Sequence, residues 1–277
     1  MKYIHSLRAE RSAKRQFEEF LRTESNMALK DNINNLPRPE KSTLRILCTS
    51  DSMRQQVKTL GDEADYMVVN SFVMDEAYVR LKPKYYVIAD PNFYIVCLDA
   101  WKKINTDTKW PMTLFVPWSH INMRTLNMEG NVTVLNVNAE TYSKEGKERE
   151  WAIEHNLAMP PVYNVLNMAL YVAICLGYKI VELYGAEHSW LKSLVVGEDN
   201  KVYWRDSHFY DKEVVKFTEV KRANGTSIKL HEMMFEYYQV FKSHWELRAL
   251  AEKNHCRIIN MTPNSYIDAY DRGVRKK

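Results

Sequence analysis

Histidine side chains are the strongest acid/base candidates in this chain, because the unperturbed pKa of imidazole lies near neutral pH. The sequence contains eight of them. His208 lies in a polar stretch rich in aromatic residues, and His231 lies in the first turn of the predicted helix that follows. We therefore predict that one of these two is the catalytic base. His244 lies on the apolar face of that helix, which favours a core or subunit-contact role.

Polar residues follow nearly every apolar run that could form a strand. Each could simply begin the next helix, since Ser, Thr, Asp and Asn are preferred at the N-cap. Their recurrence predicts a single crevice lined by hydroxyls, amides and carboxylates, where a nucleotide or sugar would find hydrogen-bond partners. The candidate binding residues in these loops are Thr49, Ser52, Asn70, Ser71, Asp90, Asn92, Glu187, Asn264 and Ser265.

Several familiar catalytic motifs do not occur in the sequence. The loop after the first predicted strand, Thr49-Ser50-Asp51-Ser52, has no glycine, which argues against a P-loop kinase and an ordinary NAD-binding domain. There is no HExxH, no GxSxG and no clear carboxylate cluster, so we predict no metal site. The four cysteines form no CxxC pair, which argues against a zinc or redox site and favours a reducing cytoplasm.

Short apolar runs alternate with helical stretches from Leu44 onward, a pattern typical of βαβ units. The stretch from Asn164 to Glu187 reads as a buried helix that continues through Gly177 into a strand ending at Gly185. We predict an α/β, Rossmann-like fold with a mostly parallel sheet flanked by helices, whose strand ends form the ligand cleft. The predicted strands span residues 45–48, 66–69, 85–89, 113–116, 133–137, 180–184 and 257–260.

Two segments depart from this alternation. Residues 1–42 are charged and helix-prone, and they predict a helical N-terminal arm suited to an oligomer or membrane-surface contact. Residues 190–227 are polar and aromatic-bearing, and they predict a lid-like insertion. Residues 43–277 would then form one Rossmann-like domain that contains the insertion.

The charge balance constrains the partners. The chain has 39 Lys and Arg against 35 Asp and Glu, and this excess of +4 is too small to indicate nucleic-acid binding. Basic residues gather at both termini, where they could touch a membrane surface, although solvated helix faces and a frayed tail are the simpler interpretation. The N-terminus has charges where a signal peptide needs apolar residues. We therefore predict a cytoplasmic protein whose basic termini could also contact the inner membrane peripherally.

Three blocks of sequence occur in an order that resembles the bacterial sialyltransferases of glycosyltransferase family 42: Ala173–Lys179, Val181–Gly185, and the predicted helix, strand and loop Leu247–Ser265, which end in Thr262–Ser265. More loosely, the chain resembles the domain shared with archaeal hydroxymethylpterin pyrophosphokinases. Weaker matches are Asn70 after the second strand and Asp90 after the third. The resemblance spans roughly residues 44–270, but the Gly-Asn-Gly-Pro-Ser loop of the family is replaced here by Cys48-Thr49-Ser50-Asp51-Ser52.

The resemblance implies a metal-independent glycosyltransferase of surface-polysaccharide synthesis, with a CMP-sugar as donor substrate, no other cofactor, a glycan hydroxyl as acceptor and a histidine base. By position it places Thr49 and Ser52 in the first-strand loop, Asn70 near the donor phosphate and Asn164 at the start of the buried helix. It places Asn264 and Ser265 beside the cytidine. Tyr203 or Tyr210 would hydrogen-bond the departing phosphate.

Two other functions stay open from the sequence. One is pyrophosphoryl transfer to a pterin-like alcohol, which would call for clustered acidic metal ligands. The other is a non-catalytic nucleotide-binding or assembly protein of the same fold. The sequence also leaves open the donor sugar, the acceptor and whether the chain forms a homo-oligomer.

Overall fold

The computed structural model describes residues 14–23, 36–90, 92–118, 128, 130–142, 144–206, 216–222 and 224–273. Within them, the main sheet has eight strands in the order β11-β10-β6-β1-β2-β3-β4-β5, and every neighbouring pair is parallel. Its strands are β1 (Thr43–Leu47), β2 (Asp65–Val69), β3 (Tyr85–Val87), β4 (Met112–Pro117), β5 (Val132–Val137), β6 (Ile180–Tyr184), β10 (Arg257–Asn260) and β11 (Asp271–Arg272).

Helices connect these strands and cover the sheet. The fold is α/β and Rossmann-like, as predicted, and all seven predicted strands are present with ends shifted by at most two residues. Short 3-10 helices occur at Val57–Thr59, Asn70–Met74 and Trp190–Ser193. The α-helices are α1 (14–21), α2 (Asp51–Gln56), α3 (Ala77–Leu81), α4 (Phe93–Val96), α5 (Leu98–Asp107), α6 (Lys147–Glu154), α7 (Val165–Leu176) and α8 (Leu230–Lys253).

Two hydrophobic layers enclose the sheet, one on each face. Leu44 and Ile46 of β1 belong to the layer that contains α7, whereas Leu47 of the same strand packs in the layer that contains Tyr78. Consecutive strand residues point to opposite faces, so a strand covered on both sides must be apolar at nearly every position. This is why the strands were recognisable as continuous apolar runs.

The helix α7 and the strand β6 are the best-defined pair of elements. Asn164 caps α7, because its side-chain oxygen accepts from the backbone N–H groups of Leu166 and Asn167. Gly177 ends the helix with a φ of 88°, a left-handed conformation that glycine adopts without steric cost. Between these two caps nearly every side chain is buried, which fixes the helix against the sheet.

The strand order reverses at β1. The chain builds β1 to β5 outward on one side of β1 and then returns to place β6 on the other side. In open α/β sheets, ligands bind outside the carboxyl ends of the strands at such a switch point. The ends of β1 and β6 therefore mark the position where a ligand site is expected.

The insertion predicted as a lid contains a small antiparallel sheet. Its strands are β7 (Leu194–Val196), β8 (Val202–Asp206) and β9 (Lys216–Glu219), in that spatial order. A separate hydrophobic cluster joins this sheet to the first half of α8 through Val202 and Tyr237. Residues 207–215 lie outside the described part of the chain, and a lid movement stays a prediction.

The long helix α8 spans Leu230–Lys253, and its buried face changes along its length. His244 is fully buried, as the apolar pattern suggested. Leu230 and Met234, however, are 41% and 37% exposed, whereas the neighbouring Met233 is buried. The first half of the helix packs against the small sheet rather than the main sheet, so a different side of the helix is covered there.

The predicted N-terminal arm is described only in part. Residues 14–21 form α1, and the ring of Phe17 packs 5.2 Å from that of Tyr142 and 6.0 Å from that of Trp151. This helix therefore contacts the domain, while residues 1–13 and 24–35 lie outside the described part. Among the helices described, none combines the length and the apolar character needed to cross a membrane.

Candidate functional site at the ends of β1 and β6

A cavity of about 940 Å³ opens at the carboxyl ends of the strands, at the switch point. Its walls are the loops that follow β1, β2, β3 and β6, together with the first turn of α7. This volume lies at the upper end of the range of small-molecule sites and is large enough for a sugar nucleotide. Five of the residues predicted from the sequence line it: Thr49, Asn70, Asp90, Asn164 and Glu187.

Three predicted residues lie beside the cavity rather than on its wall. The backbone N–H of Ser52 donates to Oε1 of Glu187 at 3.2 Å, so this residue contacts the site through its main chain. Asn92 is exposed, and its N–H donates to Oδ1 of Asp90 at 2.8 Å. Ser71 lines a neighbouring recess on the other side of Thr49.

The predicted cytidine-binding pair lies away from the cavity wall. The Ser265 hydroxyl is buried, donates to the carbonyl of Ala186 at 2.6 Å and accepts from the Asn260 amide at 3.0 Å. It thereby ties the loop after β10 to the loop after β6. Asn264 is exposed, with a φ of 54° in the intervening turn. In this arrangement Ser265 supports the loop that carries Glu187.

The predicted catalytic histidine His231 is exposed in the first turn of α8, outside the cavity. Tyr203 lies on β8, where its hydroxyl donates to Oδ2 of Asp199 at 2.8 Å, and it does not line the cavity either. His208 and Tyr210 lie outside the described residues. The structure therefore brings neither His231 nor Tyr203 to the strand ends.

His188 lines the cavity and was missed by the sequence reasoning. It is 8% exposed, its ring packs against that of Trp190 with 4.3 Å between ring centres, and its Nε2 lies 3.0 Å from Nδ2 of Asn164. Burial lowers the pKa of His188 to about 3, because an imidazolium would lose its hydration there. The signal that could have found it is its position in the same strand-end loop as Glu187.

Three residues around the cavity have left-handed backbone conformations: Asn70 with a φ of 50°, Gly185 with 69° and His188 with 49°. For a residue with a side chain, this conformation costs about 1–2 kcal/mol. Such costs are found where the surrounding structure enforces an uncommon geometry, often at functional sites. The strand-end loops are therefore held in fixed and slightly strained shapes.

Several buried polar atoms at this edge lack a protein partner among the described residues. They are the hydroxyl oxygens of Ser50 and Ser52 and Oε2 of Glu187. Buried polar atoms in folded proteins are nearly always hydrogen-bonded, so a cluster without partners indicates a site completed by a ligand or by water. Two of the three, Ser50 and Glu187, belong to residues that line the cavity.

The charged side chains that line the described part of the cavity are acidic. Asp90 and Glu187 line it, and no described Lys or Arg does. Glu187 also accepts from the N–H of Ser52 at the start of α2, where glycine-rich loops bind a phosphate. A carboxylate of the protein therefore occupies the usual phosphate position, and the remaining wall suits the hydroxyls of a ribose or sugar.

The described residues contain no cluster of three metal-ligating side chains and no ionised thiol at the cavity. Within them, no three His, Cys, Asp or Glu side chains lie close enough together to hold a metal ion. Cys48 lines the cavity, but burial raises the pKa of its thiol to about 12, so the nucleophilic thiolate is scarce at neutral pH.

The cavity combines carboxylates that accept hydrogen bonds from ligand hydroxyls, a neutral imidazole and aromatic side chains. This set of groups suits the binding of a hydroxylated ligand and acid/base chemistry on it.

Comparison of the chain with protein-family models, with curated proteins and with solved structures gave no match.

Proposed function

We propose that this chain is a glycosyltransferase, similar to the bacterial sialyltransferases, which transfers a sugar from a CMP-activated donor to a glycan hydroxyl. One observation carries the proposal: the cavity at the switch point gathers polar groups from four strand-end loops and leaves Ser50 Oγ and Glu187 Oε2 without protein partners. The proposed setting is surface-polysaccharide synthesis in the cytoplasm, with the basic termini at the membrane.

The charge of the wall favours a CMP-sugar over a nucleoside diphosphate sugar. A CMP-sugar carries a single charged phosphate group, and its ribose and sugar rings carry hydroxyls. Asp90 and Glu187 accept hydrogen bonds from hydroxyls but repel phosphates, and a diphosphate doubles that repulsion. Trp190 and Tyr163 add ring surface against which a pyrimidine or sugar can pack.

The transfer needs a base that takes the proton of the acceptor hydroxyl as its oxygen attacks the anomeric carbon, while the bond from that carbon to the phosphate oxygen breaks and CMP leaves. The predicted base His231 lies outside the cavity, so we assign this role to Glu187. Its Oε1 is held by the N–H of Ser52, and its Oε2 has no described partner and is the atom that would accept the proton.

The two carboxylates also favour a second candidate, pyrophosphoryl transfer. Asp90 and Glu187 carry carboxylates, the groups that bind Mg²⁺ together with substrate phosphates in phosphoryl-transfer enzymes. A bound metal ion would offset the repulsion between these carboxylates and the phosphates of ATP. This candidate requires a divalent ion, whereas the glycosyltransferase proposal does not.

A nucleotide panel separates the candidates. We would measure thermal unfolding with CMP, UMP, GMP and ATP, each with and without Mg²⁺. The proposal predicts a rise in Tm with CMP alone, worth about 2.7 kcal/mol when the ligand is at 100 times its Kd. A response only to ATP with Mg²⁺ would favour pyrophosphoryl transfer, and no response to any nucleotide would favour an assembly protein.

Two variants test whether Glu187 is the base. Glu187→Gln removes the carboxylate with little change of shape, and we expect it to abolish transfer while CMP binding is retained. Tyr203→Phe removes a hydroxyl outside the cavity and serves as the matched control. Transfer that survives in Glu187→Gln would exclude Glu187 as the base.

A further inference from the structure

The orientation of the Asn164 amide follows from its capping role. One atom of this amide lies 2.8 Å from the backbone N of Leu166 and 3.1 Å from that of Asn167. Backbone N–H groups only donate, so this atom must be the oxygen. The amide nitrogen then faces the opposite way, towards Nε2 of His188 at 3.0 Å.

This orientation determines which nitrogen of His188 carries the proton. An amide NH₂ only donates, so Nε2 of His188 must accept and is therefore unprotonated. A neutral imidazole has one protonated nitrogen, which here is Nδ1. Burial keeps the ring neutral by lowering its pKa to about 3. No described residue accepts a hydrogen bond from Nδ1.

We propose that His188 serves the cavity as a neutral Nδ1–H donor to an anionic oxygen of the ligand, and that Asn164 is the positioning residue that fixes this tautomer. The inference rests on the proposed function only for the identity of that oxygen, which is one of the oxygens of the departing phosphate.

The geometry argues against the alternative role of a base for His188. Its single lone pair is at Nε2 and already accepts from Asn164, so it is not free to take a proton from a hydroxyl. The ring is also held in place by Trp190 at 4.3 Å and His244 at 5.2 Å, which restricts its rotation.

A neutral donor is well suited to a site that already contains two carboxylates. As the glycosidic bond breaks, negative charge develops on the phosphate oxygen, and a donor fixed beforehand stabilises that charge without reorganisation. His188 gives up no proton in this step, and CMP leaves as the anion. The proton of the acceptor hydroxyl goes to Glu187, as assigned above.

The tautomer can be measured without any substrate. Protein labelled with ¹⁵N at histidine gives long-range ¹H–¹⁵N correlations that distinguish Nδ1–H from Nε2–H, and His188→Gln identifies the resonances by their loss. We expect the Nδ1–H form at pH 7. A His188 found as Nε2–H or as imidazolium would overturn the proposal, whether or not the protein binds CMP.

The role of Asn164 is tested by a pair of variants that both keep an N-cap oxygen. Asn164→Asp replaces the donor Nδ2 by an acceptor oxygen, and we expect the proton of His188 to move to Nε2. Asn164→Ser keeps the cap but removes the contact, and we expect a mixture of tautomers. Unchanged Nδ1–H in Asn164→Asp would show that Asn164 does not position the ring.

Measurement of kcat provides a further test once CMP binding is established. Loss of one donor at a site of developing charge lowers kcat by about 10²–10³-fold, so we expect a fall of this order in Asn164→Asp with little change in the Kd of CMP. A variant whose tautomer has switched but whose kcat is unchanged would refute the donor role. Absence of CMP binding in the wild type would instead refute the proposed function, and the NMR measurement alone would then decide the tautomer of His188.

Discussion

Replacement of Gly185 by alanine tests the geometry that places the end of β6 beside the end of β1. Gly185 lines the cavity and has a φ of 69°. A Cβ on this residue would lie 2.7 Å from Cβ of Met53 and 3.0 Å from the backbone oxygen of Cys48. The second of these atoms belongs to the main chain just after β1, so the overlap cannot be relieved by a side-chain rotation.

The expected cost has two parts. The left-handed backbone costs a residue with a Cβ about 1–2 kcal/mol. Overlap with a packed core adds about 1–3 kcal/mol, because neighbouring atoms must shift. We therefore expect Gly185→Ala to lower the free energy of unfolding by about 2–5 kcal/mol, a large fraction of the 5–15 kcal/mol that stabilises a typical domain.

Gly225 offers a matched control. It has a similar φ of 83°, but a Cβ there would meet no atom within 4 Å. Gly225→Ala should therefore show the backbone cost alone, about 1–2 kcal/mol. Both variants would be compared with the wild type by urea denaturation, which gives the free energy of unfolding by linear extrapolation.

Equal losses of stability in the two variants would contradict this prediction, since they would show that the close approach at the end of β1 has no energetic consequence. A stable Gly185→Ala protein would do the same. CMP binding provides a second readout, because the shift that relieves the overlap must move the cavity wall. We expect Gly185→Ala to weaken CMP binding and Gly225→Ala to leave it unchanged.

Three further predictions concern stability. Burial lowers the pKa values of His188 and His244, so the unfolded state binds more protons than the folded state below about pH 6.5. The free energy of unfolding should therefore be intact above that pH and fall as the pH drops, by up to about 1.4 kcal/mol per pH unit for each histidine. His244→Phe should reduce this slope, measured by urea denaturation between about pH 6.5 and 5.5. Tyr178→Phe removes a partly buried hydrogen bond of 2.6 Å to the Asp65 carboxylate and should cost about 1.5–3 kcal/mol in urea denaturation. A loss below about 0.5 kcal/mol would contradict this expectation. Thr262→Val removes the acceptor of a buried backbone N–H in the loop after β6 and should cost about 1–3 kcal/mol, measured in the same way, with wild-type stability as the contrary result.

Much of the fold could be predicted because the relevant signals are local. The strand Ile180–Tyr184 and the strand Arg257–Asn260 were predicted at their observed bounds, since a strand buried on both faces is apolar along its length. The caps Asn164 and Gly177 mark the ends of α7 for equally local reasons. By contrast, β11 has two residues, Asp271 and Arg272, both exposed, and nothing in its composition indicates a strand.

The candidate site was predictable only in part. Thr49, Asn70 and Asp90 were identified because polar residues after parallel strands gather at one edge of the sheet. The place of His188 in the cavity wall could not be predicted, since His188 and His231 are both polar residues at element boundaries, and the sequence alone gives no measure of their burial. One is 8% exposed in the cavity wall, whereas the other is exposed on α8.

The amino-acid sequence was sufficient to predict the alternation of strands and helices, the caps of α7 and the polar character of the strand-end loops, because each depends on the conformational preferences of a few neighbouring residues. Packing between distant segments places β6 beside β1 and thereby selects the loops that surround the cavity. It also brings Asn164 into contact with His188 across 24 residues of chain. Such contacts depend on strand order and packing between distant segments, which no local pattern encodes.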